Sequence, residues 1–317
     1  MTDTQNEVFK SPVNKISLFE HGPRGSQNLK LTRKYYTEDM PDGRVKHIVQ
    51  NITDPDIVPY IPDGIGNSTD RQRIPAVLII PGGAFRRLVY NFEGEDVAKW
   101  LNSMGIAAFV LECRLPSDEH DNAEDVPLID AMRAMRVIRG RAQEFGIDEA
   151  KIGVMGFSAG GFMAALLSTA YESDVYADYK YKDEYDKLSA RPDFAVCSYP
   201  VISIDDCIEA GKRYMSEEQV LERISDSKAK ILHKYNPDKL VRPDMPPVFI
   251  CETDDDRTTL SENSVGFYMA ARKAGVSAEL HIFRTGGHGY GCGDDFAQTG
   301  EWKVLFTKWI KSIGIIS

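Results

Sequence analysis

Two short runs of apolar residues, Ala76–Ile80 and Ile106–Leu111, constrain the fold of this chain more than any other feature. A strand that is apolar at every position needs cover on both faces, as the strands of a parallel sheet have. Between the two runs, Gly94–Met104 has a helical pattern that places Val97 and Leu101 on one apolar face. This order of strand, helix and strand predicts a parallel sheet with helices packed on both faces.

The same alternation of strands and helices continues along the chain. Two shorter strands, His47–Gln50 and Ile57–Ile61, precede the first apolar run. Later strands are predicted at Lys151–Met155, Phe194–Tyr199, Val248–Cys251 and Ala278–Phe283, and later helices at Leu128–Phe145, Gly161–Thr169, Glu262–Lys273 and Trp302–Ile313. The pattern predicts an α/β fold with a mostly parallel central sheet flanked by helices.

Composition divides the chain into an N-terminal arm, residues 1–45, and one α/β domain, residues 46–317. The arm is polar and rich in Gly, Pro and Asn, and we expect it to be irregular. Two segments interrupt the alternation of the domain, near 171–190 and near 203–246. We expect both to be lid insertions over the carboxyl edge of the sheet, where α/β folds bind ligands.

The two lid segments differ in composition. Tyr171–Tyr185 is dense in tyrosine, whose rings either stack on a sugar substrate or pack on the domain itself, and both alternatives stay open. In the second segment, Ser216-Glu-Glu-Gln219 predicts a capping box that opens a helix reaching about Lys234.

Charge and cysteine content narrow the class of partner and the cellular setting. The chain carries a formal net charge of −10, which disfavours nucleic acid and anionic membranes as partners. The five cysteines form no Cys-x-x-Cys pair, so we expect reduced thiols rather than a zinc site or a disulfide framework. No apolar run approaches the ~18 residues of a membrane span, and Met1–Val8 lacks a leader pattern. We expect a cytoplasmic protein, with a trimmed secreted protein and a homo-oligomer as open alternatives.

The strongest chemical motif is Gly156-Phe-Ser158-Ala-Gly160, followed by Gly161. A predicted strand enters it and a helix of small residues leaves it, which is the setting of a nucleophile elbow. The tight turn requires tiny neighbours around the serine, and the helix N-terminus offers N–H groups to an oxyanion. The alternative is a glycine-rich turn with a solvent-facing serine. We predict that Ser158 is the nucleophile.

A serine hydroxyl needs a base, and His288 is the candidate. It lies between glycines just after the last predicted strand, where packing gives little reason for a histidine. The orienting acid is expected after the preceding strand, giving the order Ser, Asp, His. Three aspartates, Asp254, Asp255 and Asp256, stand there, and chemistry alone leaves the choice between them open.

Pro81-Gly82-Gly83-Ala84-Phe85 follows directly after the first apolar strand. Small residues at this place let backbone N–H groups approach a tetrahedral oxyanion. We predict an oxyanion hole formed by the N–H of Ala159 with that of Gly83 or Ala84, whereas a plain turn is the simpler reading of Pro-Gly-Gly alone.

Taken together, the motifs resemble bacterial carboxylesterases of the α/β-hydrolase superfamily, the group that includes acetyl-xylan-esterase-like and feruloyl-esterase-like proteins. Some members of this group carry a xylanase name. The resemblance spans about Ala76 to Ile313. It rests on Pro81–Phe85, Glu93–Leu101, Gly105–Leu111, Arg114–Pro116, Gly156–Gly161, Arg191–Ala195, Tyr199–Ile202 and Pro246–Phe249.

The resemblance implies an α/β-hydrolase fold and selects one aspartate. In that family the acid precedes Glu-Asn-Ser by six residues, which is Asp256 here, with Asp254 as the alternative. Two departures from the family pattern stand out. Glu252 and Thr253 occupy the place of a common His-Gly pair, and Ala84 replaces a glycine, which is expected to narrow the acyl pocket.

The resemblance further implies a serine carboxylesterase for short acyl esters, above all acetyl esters, of small molecules or oligosaccharides. No metal or organic cofactor is needed for this chemistry. A prolyl-oligopeptidase-like peptidase shares the triad order, but the 75 residues before Ala76 are too few for its propeller. A dienelactone hydrolase would carry cysteine in place of Ser158, and a catalytically silent binding module would be expected to lose Ser158 or His288. Cys292, close to His288, is either an oxidation-sensitive thiol or an inert one.

Overall fold

The computed structural model describes residues 9–65, 73–179, 183–213, 215–224, 227–293 and 298–317. Its strands are β1 (Ile16–Ser17), β2 (Lys34–Asp39), β3 (Val45–Gln50), β4 (Asp56–Tyr60), β5 (Ile74–Ile80), β6 (Leu88–Val89), β7 (Ala107–Glu112), β8 (Ile147–Phe157), β9 (Ala195–Ser198), β10 (Val248–Thr253) and β11 (Ala278–Phe283). Its α-helices are α1 (Asp96–Ser103), α2 (Val126–Gly140), α3 (Ala142–Phe145), α4 (Ala159–Ala170), α5 (Ile204–Lys212), α6 (Glu217–Ile224), α7 (Ser227–Lys234), α8 (Ser261–Lys273) and α9 (Trp302–Ser312).

Eight of the described strands form one mixed sheet in the order β1-β4-β7-β5-β8-β9-β10-β11. From β7 to β11 the neighbours run parallel, whereas β4 pairs antiparallel with β7 and β1 antiparallel with β4. The predicted mostly parallel sheet flanked by helices is therefore confirmed. It is the open sheet of the α/β-hydrolase fold.

The centre of this sheet is the core of the molecule. Every residue of β7 is buried, and so is every residue of β5 after Ile74. The continuous apolar runs of the sequence thus correspond to strands that are covered on both faces. Two further strands, β8 and β10, end in wholly buried segments next to the loops that carry the candidate site.

Two of the helices, α3 and α8, end close to a glycine. Gly146 closes α3 with a φ of 67°, and Gly275 follows α8 with a φ of 80°. Both conformations lie in the left-handed region, which glycine adopts without a Cβ clash. One helix was predicted over Leu128–Phe145, but the chain bends at Arg141 and forms α2 and α3 instead.

The described part of the N-terminal segment is irregular over much of its length but contains two strands, which was not expected. β2 pairs with β3 and β3 with β6 in a small antiparallel sheet, while β1 adds a strand to the main sheet. The sequence signal was weak because β2 is half-exposed along most of its length and β1 and β6 are two residues long. The division into residues 1–45 and 46–317 stays a prediction.

The described part of the first lid segment packs on the domain. Tyr171 and Tyr176 are buried, and their hydroxyls donate to Asp244 and Asp186, each at 2.7 Å. The ring of Tyr185 lies 5.3 Å from the guanidinium carbon of Arg133. These three tyrosines therefore pack on the domain itself, which is one of the two alternatives left open by the sequence.

In the second lid segment the predicted capping box is confirmed. The Gln219 N–H donates to Oγ of Ser216 at 3.3 Å, and the Ser216 N–H donates to Oε1 of Gln219 at 3.0 Å. The helix expected to reach Lys234 is described as α6 and α7, and residues 225 and 226 between them lie outside the described residues. Among the described helices, none has both the length and the apolar character to span a membrane.

Candidate active site

The candidate site lies where four parallel strands end at the same edge of the sheet. Gly82 follows β5, Ser158 follows β8, Asp256 follows β10 and His288 follows β11. In open α/β sheets ligands bind at this edge, because the connecting loops converge there. The topology therefore brings together residues that are far apart along the chain.

Ser158 lies at a sharp turn between β8 and α4, with φ 53° and ψ −118°. A non-glycine residue with such a positive φ is strained, and the surrounding packing must hold it there. A Cβ on Gly156 would lie 1.9 Å from the carbonyl oxygen of Gly160, and one on Gly160 would lie 1.9 Å from that of Ile80. The small residues of the motif are thus required by backbone contacts, as a nucleophile elbow demands.

His288 reaches Ser158 from the loop after β11. Its Nε2 lies 2.9 Å from Oγ of Ser158. The flanking Gly287 and Gly289 have φ values of 63° and 80°, which let the loop turn so that the ring faces the serine. At 2.9 Å the imidazole is within hydrogen-bond reach of the hydroxyl proton.

Asp256 is the aspartate that contacts the histidine. Its Oδ2 lies 2.6 Å from Nδ1 of His288, and its Oδ1 accepts the N–H groups of Thr258 and Thr259 at 2.7 and 2.9 Å. Asp256 is buried, whereas Asp254 and Asp255 are exposed. Among the three aspartates that the sequence left open, the geometry thus places Asp256 against the ring.

Sequence reasoning missed Thr259, which is buried against both partners. Its hydroxyl donates to Oδ2 of Asp256 at 3.0 Å and lies 3.3 Å from Nδ1 of His288. Nothing in the local pattern distinguishes this threonine from Thr258 beside it. Its place depends on the turn of the loop after β10, which only the folded chain shows.

The predicted oxyanion donors lie on two adjacent segments. Ala159 is the first residue of α4, where N–H groups have no partner within the helix. Gly83 and Ala84 have φ values of 139° and 57° in the loop after β5. Within the described part of the chain, none of these three N–H groups donates to a backbone carbonyl.

The loop after β5 is fixed by a buried carboxylate that the sequence analysis did not assign. The N–H of Gly82 donates to Oε2 of Glu93 at 2.8 Å, and the hydroxyl of Tyr199 donates to Oε1 at 2.9 Å. Burial raises the pKa of Glu93 above its usual value, while the charge of His288 and these two hydrogen bonds oppose the shift. Glu93 lies in one of the segments on which the family resemblance rests, which is the only signal the sequence offers.

Glu252, at the place of the family's common histidine, is also buried. Its Oε1 accepts the N–H of Thr253 at 2.9 Å, and its Oε2 accepts the hydroxyl of Ser264 at 3.2 Å. Burial raises the pKa of Glu252 well above its usual value, and the nearby charge of Asp256 adds to this effect. Burial and the nearby Asp256 thus disfavour a second negative charge at this position.

Other reactive groups near the site are accounted for. Cys113, Cys197, Cys251 and Cys292 are buried cysteines outside any disulfide, with Sγ of Cys251 lying 3.2 Å from Oγ of Ser198. Within the described ranges, no cluster of three His, Cys, Asp or Glu side chains is arranged to hold a metal ion.

The chain is similar to known proteins over most of its length. A family model described as BD-FAE matches residues 65–270. A crystal structure of an acetyl ester-xyloside bifunctional hydrolase from Caldicellulosiruptor lactoaceticus has 35% sequence identity and a TM-score of 0.71, covering 96% of this chain and 97% of its own.

Two curated proteins are similar over much of the chain. An acetylxylan esterase of Xylanibacter ruminicola is 31% identical over 240 residues, which are 75% of this chain and 45% of that protein. Endo-1,4-beta-xylanase B of Butyrivibrio fibrisolvens is 29% identical over 296 residues, which are 91% of this chain and 44% of that protein. The chain thus spans about half the length of the curated relatives it matches. It belongs to the BD-FAE family, in the acetyl-xylan-esterase-like group of α/β-hydrolases.

Proposed function

We propose that this protein is a serine carboxylesterase that works through Ser158, His288 and Asp256. The observation that carries the proposal is a continuous chain of hydrogen-bond contacts. Oγ of Ser158 lies 2.9 Å from Nε2 of His288, and Nδ1 of the same ring lies 2.6 Å from Oδ2 of Asp256. Nucleophile, base and orienting carboxylate in this arrangement are the parts that acyl transfer requires.

In the acylation step, Oγ of Ser158 attacks the ester carbonyl while Nε2 of His288 takes the hydroxyl proton. The imidazolium that forms is stabilised by Asp256, which stays ionised and holds the ring by Nδ1. His288 then gives the proton to the leaving alkoxide, so that the alcohol departs and the acyl group remains on the serine as an ester.

The negative charge of the tetrahedral intermediate requires donors that are already in place. Within the described residues, the N–H of Ala159 and that of Gly83 or Ala84 donate to no backbone carbonyl, and they lie on the two segments that border Ser158. Such preorganised donors contribute a factor of about 10²–10³ each to the rate of acyl transfer.

Deacylation repeats the same steps with water. His288 removes a proton from a water molecule, which attacks the acyl-serine carbonyl, and returns that proton to Oγ as the C–O bond breaks. The products are a carboxylic acid and the free enzyme. No redox or metal step is part of this sequence.

For the substrate we propose short acyl esters, above all acetyl groups on carbohydrates. The similar proteins from Xylanibacter ruminicola and Caldicellulosiruptor lactoaceticus bear acetylxylan esterase and acetyl ester-xyloside hydrolase in their names. A small cleft beside the oxyanion loop is bordered by Gly83, Leu115, Ala159 and Met163. We place the acyl group of the substrate in this cleft.

The proposal is tested with p-nitrophenyl esters from acetate to octanoate, followed by acetate release from acetylated xylo-oligosaccharides. We expect kcat/KM to be highest for acetate and to fall as the acyl chain lengthens. We also expect acetate release from the oligosaccharides. Preference for octanoate would contradict the short-acyl specificity, and turnover of peptide amides without turnover of any ester would favour a peptidase.

A further inference from the structure

Glu93 and Tyr199 join two loops of the candidate site through one buried network. Glu93 lies in a π-helical turn, Asn91–Glu95, behind the loop that follows β5. Its two oxygens accept the N–H of Gly82 at 2.8 Å and the hydroxyl of Tyr199 at 2.9 Å. Since Glu93 is only 5% exposed, solvent cannot replace these partners.

Tyr199 extends the hydrogen-bond network to the loop after β11 that contains His288, called the histidine loop below. Its hydroxyl oxygen accepts the N–H of Gly291 at 3.1 Å, and its ring packs edge-on against the ring of His288 with centroids 5.1 Å apart. The residue is completely buried at the end of β9 with a φ of 38°, a strained conformation for a tyrosine. Such strain persists only where the surroundings fix the residue firmly.

The network uses both carboxyl oxygens of Glu93. The hydroxyl of Tyr199 donates to Oε1 and the N–H of Gly82 donates to Oε2. Burial raises the pKa of Glu93, whereas the charges of His288 and Lys46 and these two hydrogen bonds oppose that shift. The two hydrogen bonds hold the carboxyl group between the two loops.

Gly82 connects this hydrogen-bond network to the turn that carries Ser158. A Cβ on Gly82 would lie 2.9 Å from Cβ of Ser158 and 2.5 Å from the carbonyl oxygen of Phe157. The loop thus packs directly on the elbow, and the next two residues are the candidate donors Gly83 and Ala84. A small shift of Gly82 moves these N–H groups relative to the oxyanion.

We propose that Glu93 and Tyr199 are positioning residues, which together hold the oxyanion loop at Gly82 and the histidine loop at Gly291 in fixed relation to Ser158. This inference rests on the proposed esterase function, and it adds to the triad two residues that touch neither substrate nor reacting atoms.

The experiment compares four proteins on p-nitrophenyl acetate: wild type, Glu93→Gln, Tyr199→Phe and the double variant. Each single variant is expected to lower kcat by about 10- to 100-fold with KM little changed, as misplaced catalytic groups do. The double variant should lose no more than the worse single variant, because both changes break one network. Glu112→Gln is the matched control, since Glu112 is a fully buried carboxylate whose partners are Lys15, Arg33 and Tyr35.

The split between kcat and thermal stability separates positioning from general loss of stability. Glu93→Gln and Tyr199→Phe should lower kcat when assayed well below the unfolding temperature of each variant, with KM little changed. Glu112→Gln should lower thermal stability without lowering kcat.

The outcomes are distinguishable from failure of the esterase proposal itself. If wild type and Ser158→Ala hydrolyse the ester equally, the proposed function fails. If wild type is active, Ser158→Ala is inactive and both network variants retain wild-type kcat, the positioning role alone is overturned. Should Glu93→Gln not fold, Tyr199→Phe decides, because it removes a single oxygen from the network.

Discussion

Oδ2 of Asp256 lies 2.6 Å from Nδ1 of His288, although two other aspartates precede Asp256 in the same loop. We expect Asp256→Asn to lower kcat by about 10³- to 10⁴-fold, because the amide no longer favours the tautomer with the proton on Nδ1. Asp254→Asn is the control, since Asp254 is exposed and contacts Ser261 instead. Steady-state kinetics on p-nitrophenyl acetate measure both, and a larger loss in the Asp254 variant would contradict the assignment.

A second prediction concerns the space around Gly82. Gly82→Ala should abolish most of the activity, because the new methyl group would lie within 3 Å of Phe157, Glu93 and Ser158 and must displace the oxyanion loop. Gly266→Ala is the matched control within α8, where no atom lies within 4 Å of the added Cβ. It should stabilise the fold by about 0.5–1 kcal/mol, as alanine does in a helix. Equal activity in the two variants would contradict the close packing at Gly82.

A third prediction concerns a buried ion pair away from the site. Arg114 and Asp130 are both fully buried, and Nη2 of Arg114 donates to Oδ1 of Asp130 at 2.7 Å. Arg114 also donates to the carbonyl oxygen of Arg24 at 2.8 Å, which ties the N-terminal segment to the domain. We expect Asp130→Asn to lower the free energy of unfolding by about 3–5 kcal/mol, because it leaves a buried guanidinium without its counter-charge. A loss under 1 kcal/mol in urea unfolding would show that solvent reaches the pair.

A fourth prediction is a pH dependence of stability from His120. Burial, together with the nearby charge of Arg114, lowers the pKa of His120 from its ordinary 6.5 to about 4. The unfolded chain therefore binds this proton at a higher pH than the folded chain, so stability is lost as the pH falls from about 6.5 towards 4. Relative to His120→Gln, wild type should lose unfolding free energy across that interval. A difference between the two proteins that does not vary between pH 7 and pH 4 would contradict the low pKa.

The sequence predicts the centre of the fold well and its periphery poorly, for a physical reason. β5 and β7 were predicted within two residues, because unbroken apolar runs have one stable environment. β11 has the predicted bounds although it lies at the sheet edge and is mostly half-buried. β1 and β2 were missed because they are short or half-exposed and their pairing partners are supplied by residues later in the chain.

Some residues of the candidate site could likewise be predicted from the sequence, whereas others could not. Ser158 and His288 are predictable because the fold itself dictates which strand ends carry them, even though 130 positions separate them. The contact between Glu93 and Tyr199 spans 106 positions and depends on how one turn and one strand end orient two side chains. Local patterns contain no information on that orientation, so only the folded chain reveals the network.

The most direct test of the account is the turnover of p-nitrophenyl acetate by wild type and by Ser158→Ala at equal concentrations of folded protein. We expect steady hydrolysis by wild type and a loss of about 10⁴-fold or more in the variant, because removing the nucleophile leaves only binding and oxyanion stabilisation. Retention of wild-type turnover by Ser158→Ala would show that Ser158 is not the nucleophile and would contradict the central claim.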